Sequence, residues 1–105
     1  DTTGVFIPNI EVETTGNGTQ VSDILLYGRI NQLGVNPITE HGHCWTYLSS
    51  SPSVNDDKST LGPKSTTGNF TSTLSSLTTG VTYYYRAYAM AGNKVVYGQV
   101  ESITP

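Results

Sequence analysis

The sequence predicts an all-β fold, a sandwich of short strands. Three observations predict it. Thr, Val, Ile and Tyr, whose branched or flat side chains suit a pleated surface, are plentiful, while Ala, Leu, Glu and Lys, which would fill helices, are sparse. Strand-like runs recur along the chain, separated by turn signals at sandwich spacing. No helical apolar period of useful length fits anywhere.

The first run is Phe6 to Glu13, with Pro8 near its start, as suits an edge strand that cannot donate every ladder bond. Gly16-Asn17-Gly18 reads as a tight turn that tolerates positive φ. In the second run, Gln20 to Ile30, alternation places Ile24, Leu26, Gly28 and Ile30 on one face, expected in the core. Asp23, Leu25, Tyr27 and Arg29 fall on the other face. Gly34, Asn36 and Pro37 mark a loop before the third run, Ile38 to Leu48. Ser49 to Gly68 is polar surface loop, with a short edge strand near Lys58 to Leu61. Asn69 to Leu74, Thr82 to Met90 and Val95 to Ile103 complete the set of seven, the last two joined by a hairpin turn at Ala91-Gly92-Asn93.

At 105 residues the chain has the length of one domain, residues 1–105. That is enough to bury roughly two-thirds of the unfolded surface without staples. The formal net charge is −3, and Arg29, Lys58, Lys64, Arg86 and Lys94 are scattered. Nucleic-acid binding, which needs clustered cations against phosphates, is not expected. No apolar run approaches the length of a membrane span. A single cysteine excludes an internal disulfide.

Leu77-Thr78-Thr79-Gly80-Val81-Thr82-Tyr83 resembles the tyrosine corner of fibronectin type III domains, with Thr79 where Pro is usual and Val81 where Thr is usual. In that motif the hydroxyl of the Tyr, here Tyr83, bonds back to the backbone upstream and locks a chain crossing between sheets. The longer run TYYYRAYAMAGNKVVYGQVESITP, Thr82 to Pro105, is similar to the end of fibronectin type III-like modules of secreted and surface proteins of Bacteroidetes. His41-Gly42-His43-Cys44-Trp45 falls where those modules carry a Gly, an apolar residue, Cys or Val, then an aromatic. The resemblance is strong over Leu77 to Gly98, moderate over Gln20 to Trp45 and weak elsewhere. It implies a seven-stranded immunoglobulin-like sandwich, three strands over four, with Greek-key connections. It also implies an extracellular or cell-surface module that neighbours other domains of a larger chain. Fold alone implies no chemistry.

Glu40-His41-Gly42-His43-Cys44-Trp45 holds both histidines and the only Cys and Trp. Alternation separates Glu40, Gly42 and Cys44 from His41, His43 and Trp45. The Tyr83 strand splits likewise, with Tyr83, Tyr85, Ala87 and Ala89 expected inward and Tyr84, Arg86 and Tyr88 outward. If the two strands pair as the resemblance implies, His43, Trp45, Tyr84, Arg86 and Tyr88 share the outer face and Cys44 enters the core as a small hydrophobe. A metal site needs three or four converging ligands. Cys44 points away from both histidines, so neither a metal nor a cofactor is expected. A buried thiol is inert and has no base in reach, so a Cys–His nucleophile is not expected either. For Trp45, stacking on Arg86 is favoured over a platform for a ligand.

The remaining motifs carry little. Asn55, Asp56 and Asp57 lack the alternating pattern of a calcium loop, no pair of carboxylates suits glycoside hydrolysis, and no phosphate loop or nucleophile elbow occurs. Asn17-Gly18-Thr19 and Asn69-Phe70-Thr71 match the glycosylation sequon. The expected function is a non-catalytic spacer or interaction module, monomeric in isolation. The first alternative is carbohydrate binding through Trp45, Tyr84, Tyr88 and Tyr97. The second is protein–protein contact or adhesion by strand addition at a sheet edge.

Overall fold

A computed structural model describes residues 9–20 and 23–105, and over these the chain is all-β, with two antiparallel sheets and no helix. The strands are β1 (Glu11–Gln20), β2 (Asp23–Gln32), β3 (Glu40–Thr46), β4 (Asp57–Lys58), β5 (Gly68–Leu74), β6 (Tyr83–Ala91), β7 (Lys94–Tyr97) and β8 (Glu101–Ile103). A three-stranded sheet runs β1-β2-β5. A five-stranded sheet runs β4-β3-β6-β7, with β8 also pairing β6.

The core lies between the sheets. Ile30 and Phe70 of the first sheet meet Ala87 and Ala89 of the second, with Ile10 and Ile38. Further along, Ile24, Leu26 and Leu74 meet Tyr85, with Trp45, Leu77 and Ile103 packed against them. Burying such side chains is the main favourable term in folding, worth roughly 2 kcal/mol for each large one. The alternation of β2 places Ile24, Leu26, Gly28 and Ile30 inward, as expected.

Two expected elements differ. Gly16-Asn17-Gly18 is not a turn. It lies inside β1, which stays paired with β2 as far as the Gln20–Asp23 pair. The register shifts between Thr14 and Gly16, leaving Thr15 as an extra, bulged residue. A Gly at that point takes φ +131°, so the glycines serve a bulge rather than a reversal. The expected strand Val95 to Ile103 is instead two short strands broken at residues 98–100. The Gly98 N–H still donates to Ala87 O (2.9 Å), and the break turns the Gln99 carboxamide onto β1. There its Oε1 accepts the Thr14 N–H (3.2 Å) and its Nε2 donates to Thr14 O (2.6 Å). The expected start of the first strand at Phe6 and Pro8 lies outside the described residues.

Candidate functional site

The chemistry-bearing residues gather on β3 and its neighbours. The observed pairs His43–Ala87, Cys44–Arg86 and Trp45–Tyr85 fix which residues share a face. Directly opposed residues of an antiparallel pair project to the same side. His41, His43 and Trp45 therefore face inward with Ala89, Ala87 and Tyr85, and Cys44 faces outward with Arg86. This reverses the expected assignment of this strand. The alternation holds, but the core lies on the His41, His43 and Trp45 side of the strand.

The consequences run through every candidate. Trp45 packs on the inner cluster with Leu26 and Tyr85, so the Trp45–Arg86 stack is not made. Arg86 lies instead over Tyr97, with its guanidinium carbon 3.8 Å from the ring centroid. Cys44 is a free, buried thiol as expected, but it is buried on the outer face. That face is covered because the chain between β3 and β4 folds back over it. Pro52 is fully buried, its carbonyl accepts Arg86 Nε–H (2.6 Å), and the Val54 N–H donates to Tyr97 Oη (3.1 Å). Burial pushes the Cys44 thiol up to about 11, partly offset by Arg86. At neutral pH it is a protonated thiol.

Tyr88 is sealed as well, with no exposed surface. Its hydroxyl lies 2.5 Å from Glu40 Oε2 and 2.7 Å from Ser59 O, so its one proton serves either acceptor. Lys58 Nζ reaches the same Glu40 oxygen at 2.6 Å, and Thr60 Oγ1 donates to it at 3.3 Å. These bonds, that of Lys58 foremost, hold the Glu40 carboxyl below its ordinary value. Burial and then the bond to Glu40 push the Tyr88 hydroxyl well above its own. Tyr84 is half-exposed on the outer face, as are Arg86 and Tyr97, which bond the Pro52–Val54 segment. Trp45 and Tyr88, two of the four aromatics named for the carbohydrate-binding alternative, are therefore not on an open outer face.

On the inner side, His43 has no exposed surface. Its Nδ1 lies 2.7 Å from Ser72 Oγ, which lies 2.6 Å from Ser59 Oγ. The Ser59 hydroxyl also accepts the His43 N–H (2.9 Å). Nε2 of His43 is buried without a hydrogen-bond partner among the described residues. Desolvation pulls the ring down to about 4, opposed by the Tyr27 backbone and reinforced by the nearby His41. His41 donates Nδ1–H to Gly62 O (2.7 Å), since a carbonyl only accepts, and meets Phe70 edge to face at 4.8 Å. Desolvation also lowers its proton affinity. A His bonded to a Ser is the geometry of a base with its nucleophile. Here Ser72 is only 1% exposed and His43 not at all, so no substrate can meet them. Among the described residues, no three metal-binding side chains converge.

The Tyr83 region is a local lock. Tyr83 is buried, and its Oη accepts the Thr78 N–H five residues upstream (2.9 Å). Leu77 packs on the inner cluster, and Gly80 takes φ +85° and donates its N–H to Pro105 O (2.7 Å).

One feature escaped the sequence reading. On the outer face of the three-stranded sheet, Glu13, Arg29 and Asn69 stand abreast on β1, β2 and β5. Arg29 donates to Asn31 Oδ1 (2.9 Å) and Asn69 Oδ1 (3.2 Å), and Asn31 donates to Glu13 Oε1 (3.1 Å). The alternation of β2 had already placed Tyr27 and Arg29 on this face; what was missing was the identity of the strands beside it. No family model matches the chain, and no curated protein is significantly similar to it.

Proposed function

We propose that the chain is a non-catalytic β-sandwich module, a spacer or interaction domain of a larger secreted or cell-surface protein. In this reading it is fibronectin type III-like and of the kind found in Bacteroidetes. Counting β7 and β8 as halves of one interrupted strand leaves seven strands, three over four, and the Tyr83–Thr78 bond sits where the resemblance implies a tyrosine corner. The observation that carries the functional reading is that the reactive side chains are consumed internally. His43, Ser72, Ser59 and Tyr88 bond one another or backbone at the seam between the sheets or under covering chain, Glu40 and Lys58 close this network at its partly exposed edge, and Cys44 is sealed. A body whose polar groups bond inward holds its shape and transmits position, which is what a spacer needs.

The test is a turnover screen of the purified chain against esters, glycosides, peptides and phosphomonoesters. No turnover above the uncatalysed rate is expected. Turnover abolished by His43→Gln or Ser72→Ala in a folded variant overturns the reading.

A further inference from the structure

The outer face of the three-stranded sheet carries a cleft that the spacer reading does not use. It measures about 420 Å³ and is lined by Thr15, Tyr27, Gly28, Asn69, Phe70 and Thr71. Its origin is local. The bulge at Thr15 lifts β1 out of register beside Tyr27, while the Tyr27 ring lies over Gly18. A Cβ built on Gly18 would stand 2.6 Å from Tyr27 Oη and 3.3 Å from two ring carbons. Gly18 thus leaves room for the hydroxyl end of the ring, and Tyr27 is half-buried with part of its side chain lining the cleft. Across from this ring the cleft is bounded by Thr71 and by Asn69, the end of the polar row that runs through Asn31 and Arg29 from Glu13.

We propose that this cleft binds a neutral sugar ring of a polysaccharide. The chemistry of the two walls is complementary to that ligand. A flat phenol ring on one side offers apolar surface to the C–H face of a pyranose. On the other side, the Asn69 carboxamide is held in place by Arg29, which donates to its Oδ1 at 3.2 Å. Little ordering remains to oppose binding. Asn69 Nδ2 and the Thr15 and Thr71 hydroxyls have no side-chain partner among the described residues and can bond sugar hydroxyls. Among the described residues no charged side chain lines the cleft, which selects for an uncharged ring over a phosphate or uronate. The volume suits one or two sugar units and falls in the ordinary range for small-ligand sites. This places glycan recognition on the sheet opposite the aromatics of β3 and β6. It deepens the interaction-module reading and rests on it.

The experiment is affinity electrophoresis of the folded chain in gels cast with xylan, mannan, mixed-linkage glucan and dextran. The wild type is run beside Tyr27→Ala, Thr71→Trp, which fills the cleft, and Tyr84→Ala on the opposite sheet. Retardation in at least one gel is expected, with affinity cut about tenfold by Tyr27→Ala, abolished by Thr71→Trp and kept by Tyr84→Ala. Melting curves of each variant identify any loss that comes from unfolding. No retardation of the wild type in any gel overturns the proposal, as does retardation that survives both cleft variants. Reducing ends released from the same polysaccharides count separately, against the non-catalytic reading and not against the cleft.

Discussion

At the scale of single residues, His43 shows how position sets chemistry. On a solvent-facing sheet it would titrate near its ordinary 6.5. Between the sheets, desolvation outweighs the favourable pull of the Tyr27 backbone and takes it to about 4. The unfolded chain therefore binds a proton that the folded chain refuses. Stability is complete above about pH 6.5 and falls as the pH drops toward 4, where the folded ring titrates too and the loss levels off. The loss across that window is on the order of 3 kcal/mol, with a smaller contribution of the same sign from His41. Thermal melts between pH 7 and pH 4 should show a steady fall in the wild type. In His43→Gln they should show a flatter profile, whatever the absolute stability of the variant. An unchanged slope in that variant would assign the acid sensitivity elsewhere.

At the scale of elements, β3 is held from above and below, and Gly42 is where its neighbour comes closest. Ser59 continues the β4 pairing by donating its N–H to His43 O (2.8 Å). A Cβ on Gly42 would stand 2.5 Å from Ser59 O and 2.7 Å from Ser59 Oγ, and its φ of +154° adds strain for any L side chain. Gly42→Ala should push the Ser59 segment off β3 and break the Ser59–Ser72 and Ser59–Tyr88 contacts together. The expected cost is about 2 kcal/mol or more, read as a lower denaturant midpoint with fast amide exchange at Ser59 and Leu61. The same crowding explains which elements could be read from sequence. β2 has one buried face, so its hydrophobic alternation reveals the core directly. In β3 every residue from His41 to Cys44 is buried, because the Pro52 segment covers the face that would otherwise be wet. With both sides dry, alternation still separates two sets of side chains but no longer says which set is inside. A small thiol and a histidine give the wrong answer when ranked by hydrophobicity alone. Only the register of the pairing with β6, with His43 opposite Ala87 and Cys44 opposite Arg86, decides it. Gly16 and Gly18 misled for a related reason. Two glycines around an Asn satisfy a turn locally, and their use in a bulge and under the Tyr27 ring depends on a neighbouring strand.

At the scale of the whole molecule, two stacked sheets leave lateral edges, and unpaired strand edges recruit other chains. Here both sides are stitched by side chains. On one side, Ser59 of the larger sheet meets Ser72 of the smaller at 2.6 Å. On the other, Thr14 Oγ1 accepts the Ala87 N–H at 2.9 Å, and Asn17 Nδ2 donates to Tyr85 Oη at 2.8 Å. The Gln99 carboxamide occupies both the N–H and C=O of Thr14, as a peptide unit of an added strand would. This accounts for the interruption between β7 and β8: a continuous strand would point its backbone along β6 and leave Thr14 open. Gln99→Ala should free both Thr14 groups, costing about 1–2 kcal/mol for the lost bonds and creating a template for strand addition. Light scattering over a concentration series should find the wild type monomeric and Gln99→Ala increasingly associated. Gln99→Glu should fall between them, because its carboxylate still accepts the Thr14 N–H but cannot donate to Thr14 O. A Gln99→Ala chain that stays monomeric with an unchanged midpoint would mean that the sandwich edge is protected by shape alone.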